Sequence, residues 1–270
     1  MRTLYALGLA AALSAMPMAS AAPPPPDSLE QRIAACLSCH SVKERGDAYF
    51  PRIAGKPAGY LYNQLRNFQS GHRQYPMMNY MVAHLPDTYL REIADYFAAQ
   101  HPPYATAAAG SSASASTAQL ARGEALVRQG DAGKKIPACV SCHGTALNGV
   151  EPAIPGLLGL PSDYINAQFG NWKNKSRRAA APDCMADIAA RLSGDDIAAI
   201  SAWLGKQPPD ADARPATSLP APLPIACGSV PGQMAGGAPP ATQRPSAAPI
   251  TASATPPAAP GPAAATGGAK

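Results

Sequence analysis

The chain has 270 residues, six cysteines and a formal net charge of +5. This mild charge is not gathered into a basic run, which argues against nucleic acid as a partner. Residues 1–21 are typical of a secretory signal, with Arg2 before an apolar run (4–13) that is too short to span a bilayer. The sequence therefore predicts export to an oxidising compartment, in a bacterium the periplasm, with at most peripheral membrane association.

Residues 28–104 form the first predicted unit, which is helical throughout. Its elements, in chain order, are a short helix capped by Asp27 or Ser28, a proline-rich loop at 51–57, a helix from Tyr60 to about Ser70, a methionine-rich loop at 76–81 and a final helix capped by Asp87. Both long helices carry apolar residues at helical spacing, so each should bury one face.

Residues 105–117 contain only Ala, Ser, Thr and Gly and predict a flexible linker. The same plan then repeats over residues 118–207. The repeated elements are a helix from Leu120 to Gln129, a proline-rich loop at 155–161 and a final helix with a capping box formed by Ser193 and Asp196. The matching offsets indicate a tandem duplication of one small unit.

Each unit contains one Cys-x-x-Cys-His motif, at 36–40 and at 139–143. This motif is the attachment signature of haem c, in which each thiol forms a thioether and the histidine becomes an axial iron ligand. Paired zinc motifs usually lie about 15–20 residues apart, whereas these lie about 100 residues apart, and neither has the βαβ surroundings of a thioredoxin site. The residues predicted to hold two covalently bound haem c groups are Cys36, Cys39, Cys139 and Cys142, with the axial ligands His40 and His143.

A methionine as sixth ligand suits electron transfer, because a thioether raises the reduction potential of haem iron. Met78 precedes Leu85, next to the final helix, by seven residues, and Met185 precedes Leu192 by the same number. The repeat therefore favours Met78 and Met185 as ligands, with Met77 as the alternative at the first haem. The other histidines, which we expect to be solvated, are His72, His84 and His101.

Two further pairs of residues repeat between the units. Pro51 and Pro155 follow the axial histidines closely, and their backbone carbonyls are predicted to anchor the second nitrogen of each imidazole. Arg73 and Arg177 follow the two middle helices. They are candidates to pair with a haem propionate, or else they lie solvated on the surface.

Cys184 and Cys227 remain after haem attachment, and the sequence predicts that they form a disulfide, with two free thiols as the alternative. The bond would strap residues 208–229 across the second unit and hold the loop that carries Met185. Residues 230–270 are rich in Pro and Ala and predict a disordered tail, which is either solvated, a spacer or a partner-binding segment.

Over residues 28–207 the chain resembles a dihaem cytochrome c of the cytochrome c4 type. The residues that carry the resemblance are the two haem motifs, the two Pro-x-x-x-Gly segments, Gln64-Leu65 with Phe68, Gly71-x-Arg73, the segment from Met78 to Asp87 and the segment from Met185 to Ile197. The resemblance implies an all-α fold of two tandem class I cytochrome c domains, with the haems facing each other across the domain boundary.

The resemblance also implies a function as a periplasmic electron carrier between respiratory-chain components. Its expected partners are redox proteins such as a quinol-oxidising complex, a terminal oxidase or a dehydrogenase. One alternative is an electron-transfer subunit docked to a periplasmic or membrane dehydrogenase. Another is a dihaem enzyme, such as a peroxidase or a thiosulfate-oxidising cytochrome, but catalysis needs an open iron site and both units offer a methionine.

The first unit begins only a few residues before its haem motif. It therefore lacks the full N-terminal helix of the second unit, in which Gly123 and Val127 are placed to meet the final helix. We expect the first unit to be the less stable half.

Overall fold

The computed structural model describes residues 28–40, 49–104 and 115–231. The predicted signal (1–21), most of the predicted linker and nearly all of the predicted tail lie outside the described residues. The described part is helical apart from a two-stranded ribbon and falls within one compact unit, Met1–Gly237. None of its helices is long and apolar enough to cross a membrane.

The described residues of the first half, 28–104, fold into four helices. They are α1 (Leu29–Leu37), α2 (Ala58–Gln69), α3 (Pro76–Val82) and α4 (Asp87–Ala99). Ser28 caps α1 by accepting a hydrogen bond from the backbone N–H of Gln31, as predicted. The apolar faces of α1, α2 and α4 meet in one buried cluster, made of Ile33, Leu61, Ile93, Ala94 and Phe97.

The methionine-rich segment that was expected to be a loop is the helix α3. Pro76 opens it, and a proline is well suited to a first helical turn because its missing N–H would be unpaired there in any case. Asn79 ties the helix down by donating to the carbonyls of Phe68 and Arg73. The predicted loop was therefore wrong.

The cap predicted for α4 was wrong by one residue. Pro86 is the N-cap and makes no side-chain cap, while Asp87 is the first helical residue. The Asp87 carboxylate accepts a hydrogen bond from the Tyr62 hydroxyl at 2.5 Å and pairs with Arg91 at 3.0 Å. It therefore links α4 to α2, and it still complements the positive end of the helix dipole.

The second half, 115–231, adds one long helix before its haem motif. Its elements are α5 (Thr117–Arg128), a 3₁₀ turn (Ala132–Lys134), α6 (Val140–His143), β1 (Gly149–Val150), β2 (Ile154–Pro155), α7 (Ser162–Lys173), α8 (Cys184–Arg191) and α9 (Gly194–Lys206). Thr117 thus belongs to α5 rather than to the linker. The capping box of Ser193 and Asp196 at the start of α9 is confirmed.

Helices α5 and α9 approach each other most closely at Gly123. A Cβ atom on Gly123 would lie 2.2 Å from the carbonyl oxygen of Ala199, so only glycine allows this crossing. Leu126 and Val127 on the same face are fully buried. In the first half the N-terminal helix, α1, has nine residues and buries only Ile33. The expectation that a shorter helix supports the final helix of the first half is therefore confirmed.

The two halves meet through the segments that follow α2 and α7. Arg73 and Arg177 form an antiparallel bridge there. The backbone N–H of Gln74 donates to the carbonyl of Ser176 at 2.7 Å, and that of Arg178 donates to His72 at 2.8 Å. The segments that follow the two middle helices are thereby joined.

The segment 208–229 lies across the second half, as predicted. Ala216 exchanges backbone hydrogen bonds with the ribbon, donating to Gly149 at 2.9 Å and accepting from Glu151 at 2.8 Å. Cys227 is disulfide-bonded to Cys184, the first residue of α8. Beyond the disulfide, the carbonyl of Ser229 accepts a hydrogen bond from the Asn63 side chain in α2, so this segment also touches the first half.

Candidate haem sites

Both motif histidines are anchored as expected. The Nδ1 atom of His40 lies 2.9 Å from the carbonyl oxygen of Pro51, and that of His143 lies 2.7 Å from the carbonyl oxygen of Pro155. Since a carbonyl only accepts, Nδ1 must carry the proton, which leaves Nε2 with a free lone pair for iron. Burial lowers the pKa of both imidazoles and outweighs these hydrogen bonds, which act to raise it. The neutral form that can bind iron is therefore favoured.

Of the six cysteines, Cys184 and Cys227 form a disulfide, and the four motif cysteines form none. Burial raises the pKa of the Cys139 thiol to about 12. Within the described ranges no group of three or more His, Cys, Asp or Glu side chains is placed to hold a metal ion. The disulfide pairing thus leaves the four motif cysteines for haem attachment.

The structure brings the predicted methionines against the cores of their halves. Met78 in α3 packs on a cluster formed by Phe68, Val82 and Leu90. Met185 in α8 packs on the main core of the second half, which also contacts Cys139; Met77, the alternative, is 57% exposed. This burial favours Met78 over Met77. The axial assignments of both methionines remain predictions.

The three other histidines are all exposed, in agreement with the expectation that they are solvated. They are His72, His84 and His101. The Nδ1 atom of His72 lies 2.7 Å from the Ser70 hydroxyl.

Arg73 and Arg177 do not lie solvated on the surface. Arg73 donates to Gln64 at 2.8 Å and reaches into the second half, where it donates to Gln168 at 2.8 Å. Arg177 donates to the same two glutamines, to Gln168 at 2.7 Å and to Gln64 at 3.1 Å. Two tyrosine hydroxyls, one from each half, complete this arginine network, namely Tyr60 and Tyr164.

The arginine network has an excess of positive charge. Arg177 is only 7% exposed, and burial together with the charge of Arg73 lowers its pKa. Within the described residues neither arginine pairs with a carboxylate. The Arg177 guanidinium also lies 4.0 Å from the ring centre of Trp172, whose buried Nε1–H has no acceptor among the described residues. Haem c fits this arrangement, because its propionates supply the missing anionic acceptors.

Sequence reasoning missed two features of the site. Gln64 and Gln168 each accept hydrogen bonds from both arginines. The one sequence signal for this paired role was that the two glutamines occupy equivalent positions in the two units. Lys56 is buried, 7% exposed, and its Nζ donates to the carbonyl of Gly156 in the second half at 2.7 Å. Nothing in the sequence distinguishes Lys56 from an ordinary loop lysine.

Two tandem helical domains, each with a Cys-x-x-Cys-His motif whose histidine is anchored on a proline carbonyl, define a c-type cytochrome. No family model matches the chain. It is 35% identical over 209 residues to the thiosulfate dehydrogenase electron acceptor of Thiomonas intermedia (strain K12). This alignment covers 77% of the present chain and 91% of that protein. It is 33% identical over 178 residues to cytochrome c4 of Pseudomonas aeruginosa, covering 65% and 85% of the two chains.

Solved structures give the same result. The crystal structure of reduced recombinant cytochrome c4 from Pseudomonas stutzeri superposes with a TM-score of 0.55 at 29% identity, covering 66% of this chain and 95% of that one. Thiosulfate dehydrogenase TsdBA from Marichromatium purpuratum superposes with a TM-score of 0.57 at 30% identity, but this chain spans only 36% of its length. The chain belongs to the cytochrome c4 family. It is an electron-transfer cytochrome with covalently bound haem c.

Proposed function

We propose that the chain carries two haem c groups and passes single electrons between redox proteins of the periplasm. The observation that supports this most directly is the repetition of the histidine–proline anchor in both halves. The first group would be bound by Cys36 and Cys39 with the axial ligands His40 and Met78. The second would be bound by Cys139 and Cys142 with the axial ligands His143 and Met185.

Each bound haem would supply a one-electron iron couple, and the chain's own residues set its surroundings. Pro51 and Pro155 fix the orientation of the imidazoles, and the apolar clusters exclude water from the iron ligands. The arginine network lies between the halves, so propionates held by Arg73 and Arg177 would be drawn to this shared interface. That placement would favour exchange of electrons between the two groups.

Methionine at both sixth positions would leave neither iron open to substrate. We therefore infer that the protein is a carrier and not an enzyme. The reduced protein should not bind carbon monoxide at neutral pH, because the ligand would have to displace a methionine that each half packs against its core. Rapid binding of carbon monoxide to either haem would contradict this inference.

The experiment that tests the proposal combines haem counting with axial-ligand variants. The full chain should contain two haems, and its oxidised form should show a methionine–iron charge-transfer band. Met185→His should remove the contribution of the second haem and lower its potential, because imidazole favours ferric iron. Met78→Ala should act in the same way at the first haem. Met77→Ala is the matched control, and if it abolishes the band the assignment of Met78 is wrong.

A second candidate function is that of electron acceptor to a thiosulfate dehydrogenase. Two relatives carry that description, from Thiomonas intermedia and, at 34% identity, from Stutzerimonas stutzeri. The match to the TsdBA chain covers 64% of this chain. A purified thiosulfate dehydrogenase with thiosulfate should then reduce this cytochrome at a rate that saturates with its concentration. Copurification of the two proteins would distinguish a docked subunit from a free carrier.

A further inference from the structure

Lys56 is a buried cation that reaches from one half of the molecule into the other. It lies in the proline-rich loop 51–57 of the first half, and its Nζ donates to the carbonyl of Gly156 at 2.7 Å. No carboxylate within the described residues pairs with it. Burial and the charge of neighbouring Arg52 lower the pKa of Lys56 to about 8. A buried ammonium with so few partners is costly, so an effect beyond packing is to be expected.

The position of Lys56 relates it to the haem site of the other half. Gly156 follows Pro155, whose own carbonyl accepts the hydrogen bond from His143. The ammonium and the imidazole are therefore bound to two successive carbonyls of the same segment. Different cations act on the two histidines. In addition to burial, the charge of Lys56 lowers the pKa of His143, whereas the charge of Arg73 lowers the pKa of His40.

The duplicated sequence offers no equal cation in the reverse direction. In the second proline-rich loop, 155–161, Leu160 stands where the first has Lys56, and Gly156 stands where the first has Arg52. The first histidine site has a buried cation of its own, since Arg52, which is 4% exposed, directly follows Pro51. Only the second site lies beside a buried lysine supplied by the other half.

We propose that Lys56 is a positioning residue whose positive charge raises the reduction potential of the haem held by His143. This inference rests on the proposed function, since it requires a haem in each half. A nearby cation disfavours the ferric state, which carries one more positive charge than the ferrous state.

The expected size follows from the separation of the charges. Two unit charges about 10 Å apart, at an effective dielectric constant of about 20, change an equilibrium constant by roughly tenfold. Removing the charge should therefore lower the equilibrium ratio of reduced second haem to reduced first haem by about tenfold. For a one-electron couple this corresponds to about 59 mV.

The test is a spectroelectrochemical titration of the full two-haem protein and three variants at position 56. Lys56→Met removes the charge at similar length, Lys56→Gln removes it but keeps a donor for Gly156, and Lys56→Arg keeps the charge. The two potentials are assigned from the NMR signals of the axial methionine methyl groups. We expect Lys56→Met and Lys56→Gln to lower the potential of the second haem, and Lys56→Arg to leave it nearly unchanged.

Lys173→Met provides a matched control. The Lys173 Nζ also donates only to backbone carbonyls, those of Ala189 and Leu192, but its side chain is exposed, so water and salt screen its charge. This variant should shift the second potential much less than Lys56→Met.

Several results would overturn the role of Lys56. They are an unchanged second potential in Lys56→Met and Lys56→Gln, an equal fall in Lys56→Arg, a larger shift at the first haem, or the same shift in Lys173→Met. Failure of the proposed function is distinguishable, because it would already show in the unmodified protein as one haem per chain or a single redox wave. If Lys56→Met does not fold, Lys56→Gln and Lys56→Arg still decide between charge and packing.

Discussion

At the residue scale, Asp196 is the best-supported carboxylate of the second half. It is only 4% exposed and accepts hydrogen bonds from Lys134 at 2.6 Å and Arg122 at 2.9 Å, while its side chain also closes the capping box with Ser193. Burial alone would raise its pKa, but these donors hold the pKa of Asp196 well below its usual range. Its charged form is therefore part of the folded state.

This depressed pKa predicts how the stability of the second half depends on pH. A carboxyl whose folded pKa lies below its unfolded value of about 3.9 stabilises the fold above that pH, and the contribution is lost as the pH falls through and below it. Asp196→Asn should cost about 2 kcal/mol at pH 7 and should flatten this dependence. Denaturant unfolding at pH 7 and pH 3 measures the free energy of unfolding. The control is Asp195→Asn, which changes the exposed neighbouring carboxylate. Equal losses in both variants would assign the effect to net charge.

Local chemistry explains which site residues the sequence could predict. The haem cysteines and histidines stand in one five-residue motif, and the repeat placed Pro51 and Pro155 at the same point of each unit. The role of Lys56 depends on Gly156, about 100 residues away in the chain, and no periodicity encodes that contact. The repeat drew attention to Arg73 and Arg177, which act across the interface, but an unrepeated residue such as Lys56 was not predictable.

At the element scale, the longest and most regular patterns were predicted best. The stop of α5 before Gly130 and the capping box of α9 follow from caps and helical spacing. Helix α3 was missed because its seven residues are too few to show a helical period. Its position is fixed by contacts of Asn79 with residues outside the helix. Short elements are specified by tertiary contacts more than by their own sequence.

The crossing of α5 and α9 gives a sharp prediction at Gly123. Gly123→Ala would place its Cβ 2.2 Å from the carbonyl oxygen of Ala199, so the helices must separate and the second half should lose about 1–3 kcal/mol or more. The matched control is Gly170→Ala in α7, where a Cβ meets nothing within 4 Å. There, alanine should raise stability by about 0.5–1 kcal/mol. Urea unfolding measures both, and similar losses in the two variants would rule out the steric explanation.

The disulfide makes the segment 208–229 a clamp on α8, the helix that carries Met185. Cys184 opens α8 and Met185 follows it directly, while Ala216 holds the same segment on the ribbon. The bond closes a loop of about 44 residues, worth roughly 4 kcal/mol in the chain-entropy model. Cys227→Ser should therefore let imidazole or cyanide displace Met185 more easily at the second haem and leave the first haem unchanged. Equal ligand binding with and without the disulfide would show that the segment does not restrain Met185.

At the scale of the whole molecule, one interface joins two unequal halves. The arginine network and the paired backbone segments around Arg73 and Arg177 are nearly symmetric. The features around them are not, because the second half has the longer N-terminal helix, the disulfide and the Asp196 network. The duplication predicted the symmetric part. The features that stabilise only the second half come from residues that differ between the two units.

This asymmetry predicts that the first half unfolds first. Helix α1 buries only Ile33 against α4, whereas α5 buries Gly123, Leu126 and Val127. The proposed Met78–iron bond should then break at lower denaturant than the Met185–iron bond. The charge-transfer band would report both methionines, while both tryptophans, Trp172 and Trp203, report on the second half alone.

About half of the band should therefore be lost before haem quenching of the tryptophan fluorescence is relieved. Cys227→Ser provides the control, because weakening only the second half should bring the two transitions closer together. If the band and the fluorescence change together in the unmodified protein, the interface couples the halves more strongly than their cores differ. The contacts between the halves, the arginine network among them, would then govern stability as well.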